Sequence, residues 1–148
     1  MQLSEFWACQ NLIKTLYAKC VEPVCEEHGL TRTELDILLF LANNPSFDTA
    51  SDITERRKLA KSHVSTSVKS LEGRGFLTRC YTLSNRKTAH LSLCATAMPA
   101  VLDGREAQNL FLGALLKDFS EADLGQLEQF LCQIAANVQQ FTGESPNP

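Results

Sequence analysis

The 148-residue sequence predicts a mainly α-helical chain with one small β-hairpin. Three observations carry that reading. Apolar residues recur three and four apart over most of the length, which is a helical period. The two β-rich stretches, 77–83 and 89–93, flank a polar turn at 84–88. Ser or Thr followed three residues later by Asp or Glu, at Thr31, Thr49 and Ser120, marks three helix starts. The length suits a single domain with a real core.

From residue 3 to 28, Phe6, Cys9, Ile13, Leu16 and Cys20 form an apolar seam. Pro23 lacks an N–H and crowds the preceding turn, so a kink or break is expected between Cys20 and Pro23, with a short continuation to His28 before Gly29 stops it. Thr31 and Glu34 open a second helix through Asn43. Leu35, Ile37, Leu38, Leu39, Phe40 and Leu41 make it apolar on more than one face, so it belongs at the centre; Pro45 ends it. Thr49 and Asp52 open a short helix to about Lys58, residues 59–61 turn, and the next helix runs to Gly73 or Gly75. In that helix Val64, Val68 and Leu71, at i, i+4 and i+7, make one buried stripe. The hairpin follows. Residues 95–117 then read as a long helix with Pro99 tolerated in its first turn. Ser120 and Asp123 open the last helix, where Leu124, Leu127, Leu131, Ile134, Val138 and Phe141 keep strict three-four spacing and Phe130 widens the stripe. These seams exceed what one core needs and call for a partner. The tail, 142–148, is expected to be disordered.

The net charge of −3 hides a strong polarity. Between Arg56 and His90 nine basic residues face a single acid, Glu72, a balance of +8, while the rest of the chain stands at −11. Such a distribution suits a polyanion on one side of the molecule. The face opposite the Val64–Val68–Leu71 stripe centres on Thr66, with Ser62 and Lys69 beside it and His63, Ser65 and Ser70 at its edges. Short hydroxyls and a cation with no carboxylate suit close approach to base edges and phosphates. The stretch thus reads as a helix, a short turn, a second helix with a face suited to nucleic acid, and a basic two-stranded hairpin.

The turn, the segment KSHVSTSVKSLEGRGFLTR, the tip SNRKT and the returning AHLSL resemble the MarR family of bacterial winged helix-turn-helix regulators. GLTRTELDIL before them and the two long helical segments after them fall where that family places its elements, so the resemblance covers about residues 3–141. LEGRGFLTR and the NRK tip are its most specific pieces. The resemblance implies one domain built from a winged helix-turn-helix over 31–94 and a helical dimerisation region over 1–30 and 95–141. It implies a homodimeric repressor on a pseudo-palindromic operator with half-sites about one helical turn apart, released by a small apolar or phenolic effector. The residues expected to meet DNA are Lys61, Ser62, His63, Ser65, Thr66, Lys69, Arg74 and Arg79, with Arg86 and Lys87 at the wing tip in the minor groove. Phe6, Ile13, Leu16, Leu127, Leu131, Ile134 and Val138 are expected at the dimer interface.

The sequence departs from the family at three places. Ala60 stands where a capping Ser or Asp is usual, so Ser62 is the expected substitute cap. Cys94 replaces a Thr and will cap poorly. At the tip Asn85, Arg86 and Lys87 replace Asp, a variable residue and Arg; a neutral amide cannot hold Lys87 as the carboxylate holds arginine, so a mobile tip is expected without DNA.

Other function classes find no residues to carry them. GxSxG, HExxH and a glycine-rich phosphate loop are missing, and the three histidines fall on three different elements, so neither an enzyme nor a cofactor is expected. Cys20, Cys25 and His28 lack a C-x-x-C pair and a fourth ligand, so no metal is expected. Six cysteines without repeating spacing, behind a start with no basic and then apolar run, fit the reducing cytoplasm. The longest apolar run, 37–42, is too short to cross a membrane. Cys9 and Cys20 fall on the first seam, where packed thiols are inert. A thiol-based redox sensor on the same scaffold, and a winged-helix protein-interaction module without DNA binding, are the alternatives.

Overall fold

Three capping boxes set helix starts where the sequence places them. The Thr31 hydroxyl accepts the Glu34 N–H at 3.2 Å while the Glu34 carboxylate accepts the Thr31 N–H at 2.8 Å. Thr49 with Asp52 and Ser120 with Asp123 repeat the exchange. Hydrogen bonds from the Ser120 hydroxyl and N–H hold the Asp123 carboxyl below its usual pKa. A lowered pKa stabilises the folded state above the unfolded value, and that support is lost as pH falls through the lowered one, so this cap weakens in acid.

The structure, a computed structural model, describes residues 2–143; of the expected disordered tail 142–148, Thr142 instead ends the last helix and Gly143 caps it, while 144–148 lie outside the described residues. In chain order the elements are α1 (Leu3–His28), α2 (Arg32–Asn43), α3 (Ala50–Arg57), α4 (Lys61–Gly73), β1 (Leu77–Cys80), β2 (His90–Leu93), a 3-10 turn (Ala95–Ala97), α5 (Met98–Leu115) and α6 (Glu121–Thr142). The strands pair antiparallel, from Leu77 opposite Leu93 to Cys80 opposite His90. No helix among the described residues is long and apolar enough to cross a membrane.

Three expectations are corrected. The break before Pro23 does not occur, and α1 continues through it to His28. Proline forfeits one backbone bond, while Val21 and Val24, on either side of it, are buried and hold that turn against the core. The strands are shorter than their β-rich stretches. The Asn85 N–H donates to the Thr82 carbonyl at 3.2 Å and to its hydroxyl at 3.1 Å, which turns the chain before Tyr81 to Leu83 can join the ladder. The helix expected from residue 95 opens as a 3-10 turn at Cys94, which caps nothing with its side chain, and α5 proper starts at Met98 with Pro99 in its first turn.

By packing the chain divides into two compact units, Met1–Leu112 and Gly113–Pro148. In the first, α2 is central as expected, with Leu35, Ile37 and Leu38 fully buried. Ile53 from α3, the Val64–Val68–Leu71 stripe of α4, Leu77 and Leu91 of the hairpin, and Ala100 and Val101 of α5 complete the core. Each fully buried Leu, Ile or Val stabilises the fold by about 1.5–3 kcal/mol. Polar ties join distant elements. The His28 Nε2–H donates to Asp103 at 2.6 Å, and Arg105 donates to Asn43 Oδ1 at 3.0 Å and to the Ala42 carbonyl at 2.9 Å. In the second unit α6 has no buried residue.

Candidate nucleic-acid interface

The orientation of α4 follows from its stripe. Val64, Val68 and Leu71 are at most 2% exposed, so rotation alone turns Lys61, Ser62, His63, Ser65, Thr66 and Lys69 outward, and all six are exposed. Ser70, at the edge, is half-buried. The helix opens at Ala60 without a side-chain cap. Ser62 does not take that role, because the helix already begins at Lys61 and places Ser62 within its first turn. The first turn of the helix therefore has no side-chain cap at Ala60 and carries Lys61 and His63, an arrangement that favours an anionic oxygen.

The basic stretch separates into cations paired within the fold and cations that form no ion pair among the described residues. Arg74 donates to the His28 carbonyl at 3.2 Å, lies 3.5 Å from the Glu34 carboxylate and sits over the Phe76 ring at 4.9 Å. Glu34 is 4% exposed, so this contact places a counter-charge beside a buried carboxylate. The Arg79 Nε–H donates to Glu72 at 2.9 Å. Arg57 lies 3.7 Å from Asp36. Lys61, Lys69, Arg86 and Lys87 are exposed and form no ion pair among the described residues.

The wing is pinned at its base. Asp48, just before α3, accepts the His90 Nδ1–H at 2.7 Å through its carboxylate and the Leu91 N–H at 2.7 Å through its carbonyl, and Thr49 bridges to His90. At the tip Asn85 acts on the backbone rather than on the Lys87 side chain. Its Oδ1 accepts the N–H of Lys87 at 3.0 Å and of Thr88 at 3.3 Å, and its Nδ2 donates to the Thr88 hydroxyl at 2.9 Å. The amide thus builds an Asx-type turn that presents Arg86 and Lys87 outward.

The helical seams differ in cover. Phe6, Ile13, Leu16 and Leu127 are half-buried, whereas Leu131, Ile134 and Val138 are 56, 52 and 53% exposed, with Phe141 at 93%. Cys9 is exposed, not packed as its place on the seam suggests; Cys20 and Cys25 are half-buried. Burial pushes the Cys25 thiol above its usual pKa, which keeps it protonated and unreactive. Donor atoms of Glu27, His28 and Asp103 lie within 4.8 Å of one another. No local spacing pointed to that cluster, since Asp103 is 75 residues from His28.

Residues 28–82 match the sequence profile of the MarR family. Among curated protein sequences nothing matches. Solved structures similar to the chain include the transcriptional regulator PA3341, with 18% identity and a TM-score of 0.80 over 94% of this chain and 99% of that one. A MarR-family regulator from Listeria monocytogenes complexed with 26mer DNA has 16% identity and a TM-score of 0.78 over 97% of each chain. MarR from Staphylococcus aureus in complex with salicylate and kanamycin has 21% identity and a TM-score of 0.73 over 96% of this chain and 93% of that one. The match over its helix-turn-helix and the fold shared along nearly its full length make the chain similar to MarR-family transcriptional regulators, with the winged-helix fold of those structures.

Proposed function

We propose that the chain is a sequence-specific DNA-binding repressor that acts as a homodimer in the cytoplasm and not as an enzyme. The observation that carries this reading is the outer face of α4. Ser62, Ser65 and Thr66 stand exposed between Lys61 and Lys69, with no carboxylate among them, on a helix whose other side is locked into the core. Small hydroxyls read base edges in the major groove, while the two lysines and the uncapped N-terminus take phosphates. Arg86 and Lys87 supply the minor-groove contact from the wing. The DNA in the Listeria monocytogenes structure supports this reading. Two recognition helices reading a pseudo-palindrome require two copies, and the exposed Leu131, Ile134 and Val138 of α6 supply apolar surface for the pairing. A small apolar or phenolic effector is the ligand class we favour; the salicylate bound to the Staphylococcus aureus protein supports it.

The division of labour on α4 is testable. Thr66→Ala is expected to relax preference at one or two base positions by about 1–3 kcal/mol per lost contact, leaving mixed-sequence binding unchanged. Lys69→Ala is expected to weaken all duplexes alike and to lower the slope of log affinity against log salt by about one. Titrations of labelled duplexes at several salt concentrations separate the two; the same loss of preference in both variants would contradict the assignment.

A further inference from the structure

The wing tip carries an apolar feature that charge does not explain. Residues 82–85 form a closed turn, with the Asn85 N–H donating to the Thr82 carbonyl at 3.2 Å, and Leu83 occupies its second position. Turn positions of this kind ordinarily hold polar residues, Pro or Gly. Leu83 is instead 96% exposed, with Tyr81, two residues before, 55% exposed. The same short segment ends in Arg86 and Lys87, neither of which forms an ion pair among the described residues. Tyr81, Thr82, Leu83 and Arg86 line one shallow recess, so an aromatic ring, a branched aliphatic side chain and a guanidinium form one continuous surface.

We infer that Leu83 is a wedge that enters the minor groove beside Arg86 and opens a base step there, so that the protein selects deformable flanking sequence as well as half-site sequence. This rests on the DNA-binding reading above. The surface is built for such an occupant. Cations flanking an apolar tip match a narrow channel of negative potential whose walls are apolar sugar edges, and an inserted aliphatic side chain partly unstacks a step and bends the duplex. The Asn85 N–H, donating to the Thr82 carbonyl and hydroxyl, holds the turn that carries Leu83, so little ordering is required when the leucine inserts. Pyrimidine–purine steps unstack most easily, so TA and CA/TG steps are the preferred partners. Because Leu83 is almost fully exposed and outside the core, its replacement leaves the fold intact.

The experiment compares the wild-type chain with Leu83→Ala and Leu83→Met on a library of random-sequence duplexes long enough for two half-sites and their flanks. Retained molecules are sequenced, and the bend of the selected duplexes is read from their mobility as a function of site position. Wild type is expected to enrich a TA or CA/TG step at a fixed offset outside each half-site. Leu83→Ala keeps the half-site motif and the salt slope, loses the step preference and the bend, and binds the wild-type selection about tenfold more weakly. Leu83→Met, still apolar though unbranched, retains the preference. Identical flanks and bends for wild type and Leu83→Ala would overturn the wedge while leaving the DNA-binding reading intact. A wild-type chain that enriches no motif would overturn both.

Discussion

Leu131→Asp or Ile134→Asp is expected to convert the protein to monomers and to abolish its preference for a pseudo-palindromic site, while leaving the first compact unit folded. Both side chains are more than half exposed on a helix without a buried residue, so neither substitution disturbs a core within the chain. In a two-fold interface each change counts twice. An unpaired carboxylate costs at least about 3 kcal/mol per copy on burial. The combined penalty of about 6 kcal/mol raises the dimer dissociation constant roughly ten-thousandfold. Sedimentation at micromolar protein reads the assembly, and mobility shift on a two-half-site duplex reads the consequence. A variant that remains dimeric would remove α6 from the interface.

Gly104→Leu is expected to lower unfolding stability by about 3 kcal/mol through overpacking. Gly104 sits on α5 where a Cβ would lie 2.9 and 3.1 Å from the two Leu39 methyls and 3.3 Å from a Leu35 methyl. Leu35 and Leu39 belong to the buried α2, so a branched side chain there has no room without displacing the centre of the core. Gly104→Ala is the control. Only methyl ends of a flexible side chain stand against its Cβ, and the gain of about 1 kcal/mol in helix propensity offsets the squeeze. Chemical denaturation of the three proteins measures the series, and equal stability of the Leu and Ala variants would contradict the close approach of α5 to α2.

Local chemistry was legible in the sequence because it acts over three or four residues. The boxes at Thr31, Thr49 and Ser120 formed, the apolar content of α2 put it at the centre, and the Val64–Val68–Leu71 period fixed which side of α4 faces out. Contacts between residues distant in the chain left no local trace. Nothing in the sequence tied His90 to Asp48, 42 residues earlier, or gave Glu34 both a capping bond and the Arg74 guanidinium. Counting charge could not tell that Arg79 is engaged by Glu72 while Lys69 forms no ion pair among the described residues. Pro23 shows the converse: of the kink or break expected there the break does not occur, because the buried valines on either side outweigh one lost backbone bond.

The most direct test of the central claim is to pass fragmented genomic DNA over the purified full chain and sequence what is retained at rising salt. The claim predicts an inverted repeat whose half-site centres lie about 10 base pairs, or a multiple of one helical turn, apart. That motif should survive salt concentrations that strip random fragments away. Retention that shows no common motif and vanishes uniformly with salt would mean that the exposed face of α4 attracts phosphate without reading sequence, and would contradict the proposed regulator.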